Sequence, residues 1–270
     1  MEHLVDCHTH TWYSSDGRCT VDELCDAAQR NGLAAVAITD HFDYEMDGSC
    51  TGYFDRRRAQ RVQELARVQE ERRGRLEVLR GIEIGQPHWN REGTRRLANC
   101  GDFDLVIGSI HDLRPGKSIY HDYDLTSPAG CDRLYEQFFI EAREMVETCD
   151  FDVFGHYDYP LRVMGEAGLQ PDMRRWEAPM ADFLRLLAQS GISLELNTCG
   201  LRRWMGCTAG AHWVLETFRK AGGRRVTIGS DAHYTRHVGA GVKETCAILR
   251  DCGFDSVTVY RQRKPVELSI

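Results

Sequence analysis

"HLVDCHTH", residues 3–10, is the stretch on whose reading the fold turns. A short apolar start at Leu4 and Val5 leads through Cys7 to two histidines separated by one residue. In an extended strand, residues two apart share a face, so His8 and His10 can chelate one cation while Cys7 turns into the packing. Alone the pair is weak evidence, because chance histidines are frequent. Its meaning depends on how the other strands end.

Six further apolar cores follow: "AAVAITD", "LEVLRGIEIG", "FDLVIGS", "FDVFGHY", "ISLELNT" and "RVTIGSD". They are rich in Val, Ile and Leu and continuous rather than alternating, as parallel strands covered on both faces are. Helical patterns lie between them. In residues 131–149, Cys131, Leu134, Tyr135, Phe138, Phe139, Ala142, Met145 and Val146 trace one stripe; Met180, Phe183, Leu184 and Leu187 trace another. The alternation predicts one α/β domain over residues 1–270, with a core at about 4–250 and a C-terminal extension at 251–270, where "SVTVY" can add a late strand.

A doubly wound sheet alternates in the same way but gathers its ligands near one switch point. A closed barrel brings every strand end to one mouth. Here metal-ligand residue types end six of the strands: His8 and His10, Asp40 and His41, Glu83, His111, His156, then Asp231 and His233. Asp231 and His233 repeat the same-face spacing of the first pair. The expected fold is therefore a distorted, seven-stranded (β/α) TIM-like barrel.

Composition narrows the function. The 270 residues carry a net charge of −7, which argues against a nucleic-acid surface. The arginine-rich stretch 56–75 is the local exception. Ala59, Val62, Leu65 and Ala66 recur there at helical spacing, so it reads as an amphipathic helix with a solvated basic face. No apolar run reaches the ~20 residues of a membrane span, and no secretory signal is visible. Eleven cysteines without a CxxC pair suit reduced thiols, so a cytoplasmic setting is expected.

Taken in order, "DCHTH", "ITDH", "GIEIG", "GSIHDL", "GHYDYP" and "GSDAH" resemble the PHP (polymerase and histidinol phosphatase) family of metal-dependent phosphoesterases. Within it, "GSIHDL" and "NTCGLR" are most similar to the histidinol-phosphate phosphatases. The resemblance implies two to three divalent ions and hydrolysis of L-histidinol phosphate by a metal-bridged hydroxide. It implies that His8, His10, Glu83 and Asp231 hold a first metal, and that Glu83 bridges to a second completed by His111 and His156. Asp16, His41 and His233 would hold a third, although many relatives have histidine where this chain has Asp16, and "SSDG" also reads as a simple turn. Imidazole and carboxylate donors without thiolate suit zinc, manganese or iron.

Glu83, Asp231 and His233 are the expected catalytic residues. Arg162 and Arg202 follow strand ends and are the expected phosphate-binding residues by resemblance, with Arg203 as the alternative in the same loop. The expected partner is a small phosphate ester, with neither nucleic acid nor membrane. Asp40 should point away from His41 and bond a ligand imidazole. His3, His212 and His237 should be uninvolved, and His88 and His121 should lie at the surface. The competing readings are a relative acting on nucleotides or DNA ends, and a metal-binding domain without catalysis.

Overall fold

The computed structural model describes residues 3–50, 52–119, 121–170, 172–202 and 211–270, which leaves Arg203 outside the described residues. Strands β1 (Val5–Thr9) and β2 (Ala35–Ile38) are joined by helix α1 (Val21–Arg30). Thr20 and Glu23 form a reciprocal cap that starts this helix, and Val21, Leu24, Cys25 and Ala28 form its buried stripe. After the short strand β3 (His41–Asp43), helix α2 (Arg58–Arg72) leads into β4 (Glu77–Gly85). Helix α3 (Arg91–Ala98) precedes β5 (Leu105–Ser109), and a small hairpin, β6 (Asp112–Leu113) with β7 (Lys117–Ser118), follows.

Helix α4 (Pro128–Thr148) begins at a Ser127 cap with proline in its first turn and buries the stripe the sequence marks. Next come β8 (Val153–Phe154), α5 (Tyr159–Glu166), α6 (Glu177–Ser190) and β9 (Ser193–Asn197). The chain continues through α7 (Cys199–Arg202), α8 (Ala211–Lys220), β10 (Val226–Gly229) and α9 (Val242–Asp251), and ends in β11 (Ser256–Arg261) and β12 (Lys264–Ser269).

Seven parallel strands pair in the order β1, β2, β4, β5, β8, β9, β10, the set the apolar cores predict. The two edges meet at a Thr9–Ala232 bridge, where His10 N–H donates to the Ala232 carbonyl and Asp231 N–H to that of His8, both at 2.8 Å. The barrel is nearly closed. The buried carboxylate of Asp6 locks this seam by accepting from Ser230 N–H, the Ser230 hydroxyl and Gly239 N–H. Among the described residues, no helix is long and apolar enough to cross a membrane.

The C-terminal segment packs against the barrel rather than trailing from it. β11 and β12 pair antiparallel, and Val257, Val259 and Tyr260 are buried. The Tyr260 hydroxyl meets the Asp152 carbonyl and the Ser193 hydroxyl, at the beginnings of β8 and β9. The hairpin thus covers the N-terminal end of the barrel. Its tip residues, Gln262 and Arg263, have φ of 51° and 61°, a left-handed conformation costly for residues other than glycine. Arg263 offsets that cost with bonds to Asp152 and Asp150 and to the carbonyls of Asp104 and Ala98.

Helix α2 departs from the expected face. Its buried residues are Arg61, Leu65 and Val68, while Ala59 and Ala66 face solvent. An arginine occupies a core position because its guanidinium finds one carboxylate and two carbonyls there. No hydropathy pattern can anticipate that.

Replacing Arg263 with alanine should leave Asp152 buried without its countercharge and destabilise the fold by about 3 kcal/mol. Urea unfolding of R263A reads this directly, and an unchanged midpoint would refute the plugging role.

Candidate metal centre

The C-terminal ends of the barrel strands carry the ligand types, and the barrel turns them toward one point. Glu83, on β4, lies at its centre and is fully buried. His8 Nε2 lies 3.2 Å from Glu83 Oε2, His10 Nε2 3.4 Å and His41 Nδ1 2.9 Å. His156 Nε2 and His111 Nε2 approach the other oxygen, Oε1, at 2.9 and 3.3 Å. His10 Nε2 also lies 3.5 Å from Asp231 Oδ1. His233 Nε2 meets Asp16 Oδ2 at 3.0 Å, and His41 Nε2 lies 3.8 Å from the same oxygen. Every described residue of the expected ligand set is therefore in one cluster.

Whether these residues suit a metal is tested by what they leave unsatisfied. His8 Nε2, His10 Nε2, His41 Nδ1 and Glu83 Oε2 are buried and make no hydrogen bond, although they crowd together. Buried polar atoms are almost always paired, so four unpaired ones converging on one spot fit a cation there. Three triads have donor atoms close enough to share an ion: His8–His10–Asp231, His10–His41–His233 and His41–Glu83–His111. His41 belongs to two of them, so it stands between Glu83 and Asp16 rather than with Asp16 and His233 alone.

The electrostatics agree. Burial works against ionisation of Glu83, yet His8, His41 and His111 hold its carboxyl well below the usual range. Asp231 is held down likewise, by the nearness of the His10 ring and the His233 charge. Burial also opposes charge on the imidazoles. Glu195 and Glu83 nevertheless raise His8, Glu83 and Asp43 raise His111, and Glu83 and Asp43 push His41 up to about 9. His10 goes the other way: burial, with the neighbouring His233 and His41, lowers it to about 3. The carboxylates thus stay anionic and draw positive charge into the cluster.

Several partners escape a reading by motifs. Glu195, buried in the middle of β9, accepts from His8 Nδ1 and from His156 N–H, each at 2.6 Å. A carboxylate can only accept, so Nδ1 of His8 keeps its proton, and Nε2 is the nitrogen that a metal would take. A charge inside the apolar run "ISLELNT" is the signal that could have revealed it, since buried charges need partners. Asp43 accepts from His111 Nδ1 at 3.1 Å. It sits two residues beyond His41 on β3, the same-face spacing used elsewhere. The Ser109 hydroxyl donates to Glu83 Oε1 at 2.6 Å.

Two glycines make room for these contacts. A Cβ at Gly229 would strike Glu195 Oε1 and His8, and one at Gly85 would strike Asp43 Oδ1. His156 and Asp231 have φ of 23° and 53°, strain held where side chains must be aimed.

Beside the cluster, Asp16, Arg18, Arg162, Arg202, Asp231 and His233 line a cavity of about 290 Å³. Arg162 reaches Asp231 Oδ2 at 3.0 Å, and Arg202 donates to the Ser230 carbonyl at 2.6 Å. Both expected phosphate residues therefore face the site, joined by Arg18, which the motifs did not single out. Other expectations are corrected. His88 is buried against Glu141 at 2.7 Å rather than at the surface, because the carboxylate and Trp89 enclose it. His237 lies in a short 3₁₀ turn and lines the cavity. Asp40 bonds no ligand imidazole directly and reaches His10 only through Ser14.

Comparison with known proteins matches residues 6–199 to the PHP domain. A probable histidinol-phosphatase of Thermotoga maritima is 28% identical over 95% of this chain and 95% of its own length. A probable phosphatase of Vibrio atlanticus is 24% identical over 96% of this chain and 89% of its own. The crystal structure of histidinol phosphate phosphatase from Lactococcus lactis, complexed with zinc, L-histidinol and phosphate, superposes with a TM-score of 0.84. It covers 98% of this chain and 100% of that one at 20% identity, a likeness of fold. With the matched region running from the first histidine pair through β9, the chain belongs to the PHP family.

Proposed function

We propose that the chain is a metal-dependent phosphomonoesterase and that it hydrolyses L-histidinol phosphate to L-histidinol and phosphate. The observation that carries this reading is the convergence of unpaired His8, His10, His41 and Glu83 donor atoms beside a cavity walled by arginines. The full-length likeness to histidinol-phosphatases supports the substrate.

His8, His10, Glu83 and Asp231 would hold one ion. Glu83, His111 and His156 would hold a second, and Asp16, His41 and His233 a third. The donor set suits zinc, manganese or iron. Such ions, when bound, supply Lewis-acid stabilisation of phosphoryl charge and an activated water. The chain's own part is to place the ester. Arg162, Arg202 and Arg18 orient the phosphate by charge-assisted hydrogen bonds. Asp231 and His233 line the same cavity, with carboxylate and imidazole Nδ1 3.4 Å apart, and fix the wall against which the ester would lie. Cysteines that are mostly buried, with no CxxC pair in the sequence, suit a reducing, cytoplasmic setting.

A second reading, a phosphatase for another small phosphate ester such as a nucleotide, is favoured by the cavity's charge. Its lining carboxylates, Asp16 and Asp231, are already engaged by imidazoles and Arg162. Neither is left to receive the ammonium of histidinol. Phosphate release should therefore be measured across a panel of monoesters with the metal-loaded protein. The first reading requires histidinol phosphate to have the highest kcat/KM, and a nucleotide leading the panel would replace it with the second. Glu83→Gln should lower kcat more than about a hundredfold on whichever ester leads.

Chelation should abolish turnover, and added zinc or manganese should restore it. Raised imidazoles hold protons near neutrality that a metal must displace, so zinc uptake at pH 7 should release protons. Apparent zinc affinity should rise with pH toward 9, as His41 loses its proton, and fall below pH 7. Calorimetry in two buffers of different ionisation enthalpy measures the release. Uptake without protons would contradict the charge state described above.

A further inference from the structure

Arg61 is fully buried on α2, and the functional reading above gives it no role. Its Nε donates to Asp40 Oδ2 at 2.7 Å, and one terminal nitrogen donates to the carbonyls of Ile38 and Gly81, each at 2.8 Å. Ile38 ends β2 and Gly81 lies within β4, so the guanidinium ties together two neighbouring barrel strands. Such placement could be purely structural. The other oxygen of Asp40 suggests more.

Asp40 Oδ1 accepts from Thr11 N–H at 2.7 Å, the Thr11 hydroxyl at 2.9 Å and the Ser14 hydroxyl at 3.2 Å. Ser14 has a single hydroxyl proton. Once that proton is given to a carboxylate facing Arg61, the serine oxygen can only accept. It accepts from His41 N–H at 3.0 Å, and its remaining contact is His10 Nδ1 at 3.1 Å. His10 must then donate from Nδ1, which leaves the lone pair on Nε2, the nitrogen facing Glu83 and Asp231. Reversing any polarity in the series would put a proton on the nitrogen that has to bind metal.

We propose that Arg61 is a positioning residue for the metal centre, fixing the polarity of Asp40 and Ser14 and through them the tautomer of His10 and the placement of His41. This rests on the metal-binding reading of the cluster. It adds that the orienting charge comes from a helix outside the cluster, through one hydroxyl. His8 is oriented directly by Glu195, whereas His10 is oriented through this three-residue relay.

The test compares R61M, R61K and S14A with wild type. Zinc affinity is read by competition with a chromophoric chelator, and thermal unfolding is followed on metal-free protein. R263A serves as a control that weakens the fold far from the cluster. R61M and S14A should each lose about 10- to 100-fold in zinc affinity, the usual range for removing a ligand's hydrogen-bond partner. R61K should lie between them and wild type. R263A should unfold earlier yet bind zinc like wild type.

Should R61M fail to fold, S14A carries the test, because it removes the hydroxyl and leaves the Arg61–Asp40 pair intact. S14A with wild-type zinc affinity would overturn the proposal. So would R61M that only unfolds earlier, as R263A does, or a wild-type protein that takes up no zinc. Because the readout needs no substrate, a protein that binds zinc and cleaves no ester would defeat the phosphatase reading while leaving this test standing.

Discussion

A single carboxylate, that of Glu83, is buried among five imidazoles, and much of the molecule follows from that. An ionised carboxylate far from water is costly unless positive charge and hydrogen bonds surround it. Ser109 supplies one bond, and the histidines supply the rest of the environment. Those histidines come from β1, β3 and the ends of β5 and β8, so only a geometry that gathers distant strand ends can assemble them. The barrel does so, and its seam, its plugged N-terminal end and its small residues at Gly85 and Gly229 all serve that convergence.

The residues of the cluster were legible because a strand has a period of two and because they fall at strand ends. His8 with His10, and Asp231 with His233, share the same-face spacing, and each pair gains its meaning from the other and from Glu83, His111 and His156 at further strand ends. What surrounds them is less visible. Glu195 reads as one polar residue in an apolar run, and Arg61 as part of a charged helix, since neither pattern records which partner waits inside. Ser14 is less conspicuous still. Its importance comes from the direction of one hydroxyl proton, which only the arrangement of its neighbours decides.

The fold was legible for a related reason. Continuous apolar cores between amphipathic helices specify parallel strands, and ligands spread over six ends distinguish a barrel from an open sheet. The C-terminal hairpin was the weakest element in the sequence. "SVTVY" announces a strand, but its place beneath the barrel depends on the left-handed turn at Gln262 and Arg263 and on the carboxylates that receive Arg263.

The seam between β1 and β10 also bears on how the protein is made. Asp6 and Ser230, which clasp it, lie 224 positions apart in the chain. During synthesis the first strand leaves the ribosome with no partner on one edge, and it waits for nearly the whole chain before that edge is covered. Strand edges left open invite pairing with other chains. The same delay withholds Asp231 and His233 from His8 and His10, so a prematurely terminated product has both an uncovered edge and an incomplete ligand set. Closing the barrel and bringing Asp231 and His233 beside the first histidine pair are therefore one late event, and an ion held by His8, His10 and Asp231 together would report a closed seam.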